Sequence, residues 1–150
     1  MNTRDHVAGN VWLWKQQGLR VGMASGAFDL FHAGHLSFLV GLRGQVDKLV
    51  VAVMSDERCK VKGDARPIIP EAHRAAIVSA LFVVDDCFVF SEYGDGANLE
   101  IVRPDVFGRG DGHTLEMYER DVTNKLGIEV ALIHTPRLTS TTEIINRIRA

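Results

Sequence analysis

The sequence predicts a doubly wound α/β domain on a five-stranded parallel sheet. Three observations predict it. Unbroken apolar runs of strand length recur along the chain, as strands buried on both faces require. Segments with apolar residues at helical spacing alternate with them. Glycine-rich turns fall where strands hand over to helices, most clearly at Gly26–His35.

Taken in order, residues up to about Gly18 read as an N-terminal helix carrying Val11, Trp12 and Trp14, with Gly18 as its stop. Arg20–Ser25 is the first strand, and Ala33–Arg43 a helix with Leu36, Leu39 and Val40 in register. Lys48–Met54 is the second strand. Arg58–Pro67, with four Lys or Arg residues among ten, reads as a loop. Pro70–Arg74 opens a helix whose stripe is Ile77, Val78, Leu81 and Phe82. Cys87–Phe90 is the third strand, and Tyr93–Gly96 a turn. Asn98–Arg103 is a short helix that Pro104 must follow rather than extend. Asp105–Phe107 begins the fourth strand, and Gly108–Gly112 reads as a second glycine-rich loop. Thr114 is the expected N-cap of a helix with Leu115, Tyr118 and Val122 inward, ending near Gly127. Ile128–Ile133 is the fifth strand. Ser140 and Glu143 have capping-box spacing ahead of Ile144, Ile145 and Ile148. No repeat or second domain shows, so residues 1–150 read as one domain, with 1–18 as its helical lead-in.

At 46% apolar and 24% charged residues, the composition is that of an ordinary globular protein. A net charge of −2 argues against a general nucleic-acid binder. The longest apolar stretches, Leu49–Met54 and Ala75–Val84, are too short to span a bilayer. The N-terminus lacks the apolar core of a signal peptide, so the cytoplasm is the expected location. Cys59 and Cys87 form no C-x-x-C pair. Cys87 reads as a small buried hydrophobe. Cys59, beside Lys60 and near Lys62, reads as a thiol those cations could activate.

The chemistry concentrates in Gly26-Ala27-Phe28-Asp29-Leu30-Phe31-His32-Ala33-Gly34-His35. Gly26 permits a sharp turn or a close ligand approach. Gly34 leaves room between the histidines. Two potential cations stand at a helix N-terminus, which disfavours cations, and a bound anion resolves that conflict. Imidazoles donating to phosphate oxygens are one reading. Metal chelation and a purely structural pair are the others, although no Cys, Asp or Glu follows in register to complete a metal site. Arg74 sits in the first turn of its helix, where an anion or the nearby Glu71 would balance it.

This ten-residue string resembles the G-x-F-D-x-x-H-x-G-H signature of the cytidylyltransferase-like nucleotidyltransferases. Further matches run along nearly the whole chain. Lys62-Gly63-Asp64-Ala65-Arg66-Pro67-Ile68 resembles the K-G-x-x-R-P-[IV] loop of heptose-phosphate adenylyltransferases, and Glu71-Ala72-His73-Arg74 the segment that follows it. Arg103-Pro104-Asp105-Val106 resembles their R-P-D-V, and Ser140-Thr141-Thr142 the S-T-T of the second signature. Departures fall at Ser25, where asparagine is usual, at Arg109-Gly110-Asp111-Gly112, and at Arg137-Leu138-Thr139.

The resemblance implies a Rossmann-like fold and transfer of a nucleoside monophosphate from ATP or CTP to a phosphorylated sugar or polyol, with pyrophosphate released. Heptose 1-phosphate adenylyl transfer leads, glycerol 3-phosphate cytidylyl transfer is the alternative, and a nucleotide-binding regulatory module without turnover is the reading from another class. His32, His35 and Lys62 are the implied catalytic residues. Gly26, Ala27, Phe28, Asp29, Gly34, Arg109, Gly110, Asp111, Ser140, Thr141 and Thr142 are the implied nucleotide and phosphate ligands. Arg66 and Arg74 are the implied acceptor-phosphate ligands. Asp29 is read either as orienting its loop or as touching the metal indirectly. Mg²⁺ is expected on the triphosphate and not in a protein cage. A homodimer is expected, with no nucleic acid or membrane as partner.

Overall fold

A computed structural model describes residues 2–63, 65–136 and 138–150; the side chain of Lys62 also lies outside the described part. Five parallel strands form one sheet in the order β3-β2-β1-β4-β5. They are β1 (Val21–Gly26), β2 (Lys48–Met54), β3 (Asp86–Phe90), β4 (Val106–Gly110) and β5 (Glu129–Ile133). The chain builds outward from β1 in one direction and then, from β4, in the other. The β1/β4 boundary is therefore the topological switch point, where such sheets open a crevice at their carboxyl edge.

Helices cover both faces, as a doubly wound sheet requires. They are α1 (Arg4–Gln16), α2 (Ala33–Arg43), α3 (Asp56–Cys59), α4 (Glu71–Ser79), α5 (Gly96–Val102), α6 (Met117–Leu126) and α7 (Thr141–Arg149), with a 3-10 turn at Lys60–Lys62. Strand alternation divides the core. Ala24, Leu49, Val51 and Val53 face α2 and α4, meeting Leu39, Leu42, Ala75 and Val78. Val21, Met23, Val50 and Phe107 face Val7, Val11, Leu99, Val102 and Val122 of α1, α5 and α6. Fully burying each of the Val, Leu, Met and Phe side chains among these contributes about 1.5–3 kcal/mol. Gly108 brings α2 down onto the sheet, because a Cβ there would lie 2.4 Å from Leu42 Cδ2.

The structure moves several predicted boundaries. The Arg58–Pro67 stretch is not all loop. The Ser55 hydroxyl accepts from Arg58 N at 3.1 Å and caps α3, which runs into the 3-10 turn. Helix α4 ends at Ser79, so Leu81 and Phe82 fall outside it and Phe82 is 88% exposed. Its buried face is Arg74, Ala75 and Val78. Strand β4 continues through the expected loop to Gly110, paired with β5. Helix α6 starts at Met117, capped by Glu116 and Glu119 rather than by Thr114, and Tyr118 is half exposed. The cap moves because the buried Glu119 carboxylate also accepts from Asp95 N at 2.8 Å, fixing that turn. Trp14 packs against the core and Trp12 is exposed. Both cysteines are buried thiols. Burial, with Asp86 adding to it, pushes the Cys87 thiol up to about 12. Cys59 is 1% exposed, which withholds the access that an activated thiol needs.

Candidate active site

A cavity of about 1010 Å³ opens at the carboxyl edge of the sheet, above the switch point. It has the size of a small-molecule site. The signature loop forms its floor, the loop after β4 one wall, and the N-terminus of α7 another.

The signature loop is tightly determined. Phe28 and Leu30 have φ of +52° and +44°, a left-handed conformation that costs a non-glycine residue roughly 1–2 kcal/mol. Packing holds it there. Phe28 is buried and meets the His35 ring edge-on at 5.4 Å between centroids, and Phe31 flanks the same ring. The His32 and His35 rings stack, with centroids 3.8 Å apart and planes 19° apart. Gly34 is needed for close approach. A Cβ would lie 3.0 Å from the His32 ring and 3.2 Å from the Thr139 carbonyl oxygen. The room it leaves is therefore taken by the protein itself.

His32 is the N-cap of α2. Its Nδ1 accepts from Gly34 N at 3.1 Å and His35 N at 3.4 Å. An accepting Nδ1 puts the ring proton on Nε2, which makes Nε2–H a donor. Burial lowers the His32 pKa below its ordinary value, which favours this neutral form.

Asp29 orients loops. Its carboxylate is 4% exposed and accepts from Ile68 N and Ile69 N, each at 2.9 Å, and from Leu30 N at 3.1 Å. Its carbonyl oxygen accepts from the Thr141 hydroxyl at 2.9 Å. One residue thus ties the signature loop to the segment after Arg66 and to the start of α7. Ser140 caps α7 by accepting from Glu143 N at 3.1 Å. Arg66 reaches across to donate to the Thr142 hydroxyl at 3.3 Å, with Nη1 3.7 Å from Asp29.

One sequence-derived assignment changes. Arg74 is not an acceptor-phosphate ligand. Its side chain is fully buried and donates to the carbonyls of Ile69 and Ala27 and to Asp56 at 2.8 Å. It clamps the signature loop from beneath, and its partner is Asp56 rather than Glu71. Arg66 stands with the α7 start, beside the residues read as triphosphate ligands. The side chain of Lys62 and all of Arg137 lie outside the described residues.

The other expected site residues gather around the cavity. Gly26, Ala27, Arg109, Gly110 and Asp111 line it, together with Ser140, Thr141 and Thr142. Asp111 pairs with His134 at 2.5 Å on the rim, joining the loop after β4 to the end of β5. Ser25 and Thr139, marked in the sequence only as departures from the family pattern, stand on the wall, and Asp95 and Glu119, not named there as site residues, lie behind it. Asp95 read as a turn residue, and only its position seventy residues from Ser25 hid the pairing. Burial raises the Asp95 pKa, opposed by bonds from Ser25 and Asn98 and by the Arg109 charge, while Glu119 pushes it up further.

Among the described residues, no three His, Cys, Asp or Glu side chains gather to hold a metal ion. Nor is any helix among them long and apolar enough to cross a membrane. The cavity presents imidazole, guanidinium and hydroxyl groups at two helix starts, which suits a polyanion.

The sequence profile described as Cytidylyltransferase-like matches residues 23–148. A protein of Bradyrhizobium sp. (strain ORS 278) named bifunctional protein HldE is 38% identical over 146 residues, covering 96% of this chain and 30% of that protein. Its namesake from Mesorhizobium japonicum is 38% identical over 139 residues, covering 91% of this chain and 28% of the relative. The chain thus spans about 30% of the length of these curated relatives. Among solved structures, a lipopolysaccharide core biosynthesis protein from Thermoplasma volcanium GSS1 aligns with a TM-score of 0.65 and 31% identity, covering 79% of this chain and 98% of that one. A pantoate-beta-alanine ligase from Francisella tularensis, complexed with beta-gamma ATP and beta-alanine, also aligns at 0.65. It covers 99% of this chain and 76% of its own at 15% identity, a likeness of fold alone.

Proposed function

The chain belongs to the cytidylyltransferase-like family of nucleotidyltransferases, and from that membership we propose that it adenylylates a heptose 1-phosphate, releasing pyrophosphate from ATP. The observation that carries this reading is the stacked His32–His35 pair at the start of α2, tied through Asp29 to the start of α7 across one cavity. Support for the acceptor comes from the Lys62–Ile68 loop, from relatives named HldE, and from the lipopolysaccharide core biosynthesis protein of similar fold.

A sugar phosphate has a second pKa of about 6, so it is largely dianionic at neutral pH and is already a nucleophile. Its oxygen attacks the α-phosphorus, the bond to the β-bridging oxygen breaks, and pyrophosphate leaves in line. No general base is required. The protein's work is to position two anions and neutralise charge. The Nε2–H of His32 donates to an α-phosphate oxygen, with His35 beside it. Ser140, Thr141, Thr142 and Arg66, at the α7 start, take the β- and γ-phosphates. Lys62 is assigned the charge over the reacting phosphates. Gly110, Asp111 and the Gly26–Phe28 floor hold the nucleoside. Mg²⁺, carried on the triphosphate, would offset its charge. Asp29 does not serve the metal in this reading, since its oxygens are taken by backbone donors.

The reading includes a cytoplasmic homodimer. The α1 surface at Trp12 and Leu13, 61% and 51% exposed, supplies apolar area for contact with a second copy. Sedimentation tests the dimer.

Pyrophosphate release on mixing the protein with each triphosphate and a panel of phosphorylated acceptors tests the reaction. Release with ATP and heptose 1-phosphate is expected. Release with CTP and glycerol 3-phosphate would instead assign the cytidylyl branch. Triphosphate binding without turnover on any acceptor would make the chain a regulatory module.

A further inference from the structure

No residue placed so far holds the acceptor's sugar, and the far side of the cavity has a cluster suited to it. Ser25 and Arg109 both line the cavity. They end the neighbouring strands β1 and β4 on the face of Met23 and Phe107, the α5–α6 side of the sheet. The histidines and α2 lie on the other side. Pyrophosphate leaves toward α2 and α7 in the proposed reaction. An in-line attack then brings the acceptor phosphate from the opposite direction, with its sugar trailing over Ser25 and Arg109.

The hydrogen bonds define what this corner can bind. The Ser25 hydroxyl donates to Asp95 Oδ2 at 2.5 Å, and Asn98 Nδ2 donates to Asp95 Oδ1 at 3.2 Å. Glu119 accepts from Asp95 N at 2.8 Å and Glu116 N at 2.9 Å. Both carboxylates are buried and supplied with short bonds. Arg109 is not. Its Nη1 lies 3.5 Å from Asp95 and its Nη2 3.8 Å from Glu119, well beyond the ~2.7–2.9 Å of a charge-assisted bond. Its Nε is buried with no hydrogen-bond partner among the described residues, and its guanidinium lies over Phe107, 5.2 Å from the ring centroid.

Ser25 spends its proton on Asp95, so its lone pairs are what it offers the cavity. Arg109 offers N–H donors. An acceptor beside donors is the complement of a hydroxyl group, which does both. One cation backed by two acids is a poor grip for a second dianion, so the corner fits a polyol better than a phosphate. We propose that Ser25 and Arg109 bind hydroxyls of the acceptor sugar, and that Asp95 and Glu119 are positioning residues that hold Arg109 in place.

This inference rests on the nucleotidyl-transfer reading. The test is to measure KM for heptose 1-phosphate and for ATP separately, in wild type, Ser25→Ala, Arg109→Lys and Asp95→Asn. Loss of a hydrogen bond to a charged group predicts a rise of about 10- to 100-fold in the sugar KM of Arg109→Lys. Its KM for ATP should stay within about twofold, far below the cost of any lost charged bond. Asp95→Asn should show the same split, which a general loss of structure would not produce. If Asp95→Asn does not fold, Ser25→Ala on the cavity wall carries the test with the same expected split. A rise in KM for ATP alone would assign the corner to the ribose, and equal rises or no rise would make it structural; each overturns the proposal. A wild type inactive with every acceptor withdraws the reaction itself and the inference with it, whereas an active wild type with unmoved variants sinks the inference alone.

Discussion

Replacing Asp29 by asparagine keeps the shape of the side chain and removes only its charge and one acceptor oxygen. Asp29 Oδ2 accepts from Ile68 N, while Oδ1 accepts from Ile69 N and Leu30 N. The asparagine amide can keep its oxygen on one side only. In the better orientation it retains Ile69 and Leu30, and its NH₂ then faces the Ile68 N–H, donor against donor. One bond to a charged acceptor is lost, about 1.5–3 kcal/mol, and two others fall toward the neutral range. The sum is about 2–4 kcal/mol. For a chain of this size each kcal/mol moves Tm by roughly 2–4 °C, so a fall of about 5–15 °C is expected. Affinity for the triphosphate should fall as well, because the same residue pins the α7 start through Thr141. Circular-dichroism melts and calorimetric titration with ATP check both. A melting temperature within a degree of wild type would refute the pinning argument. If the Mg²⁺ requirement rose at the same time, Asp29 would be serving the metal after all.

His35→Ala should lower pyrophosphate release by about 100- to 1000-fold, the usual cost of one pre-positioned donor, while the protein stays folded. Near-normal turnover would remove His35 from the chemistry. Arg74→Met should act on stability instead: it strands the carbonyls of Ala27 and Ile69, at about 1–3 kcal/mol each. A lost acceptor affinity with an unchanged melt would restore Arg74 as a ligand. The third expectation concerns pH. His32 has a pKa lowered from 6.5 in the fold, so the unfolded chain binds its proton first as pH falls. Its contribution to stability is complete above pH 6.5 and is lost as pH drops toward the lowered folded value. His32→Asn keeps an N-cap acceptor, so its stability should fall less steeply over that window. Parallel curves would show that the His32 ring is not the group titrating.

Local pattern made the frame of the fold legible. Helix α2 and strand β2 fall on their expected residues, because an apolar run between two glycines or charges allows little else. The boundaries that moved did so for tertiary reasons. Gly108 looked like loop because glycine usually marks one, yet here it admits Leu42 onto a continuing strand. Glu119 was silent in the sequence, and it decides where α6 begins by bonding to a turn twenty-four residues earlier.

The site divides along the same line. The histidines were legible because their partners lie within three residues: the cap at His32 and the stacked ring at His35 are local consequences of the signature. The arginines were not. A cation in a first helical turn needs a counter-charge, and the sequence offers ligand and protein as equal candidates. What decides between them for Arg74 is the supply of unsatisfied carbonyls. The left-handed residues Phe28 and Leu30 bend the signature loop out of any regular ladder, leaving Ala27 O without a strand or helix partner. Arg74 fills that need from forty-seven residues away. The strained loop thus demands a buried cation for itself, and the cations left for substrates are those whose carbonyl neighbours are already paired. Arg109 meets that condition: it lies near the end of a strand paired with β5 at this point, and among the described residues its guanidinium is held by two carboxylates at long range and the Phe107 ring.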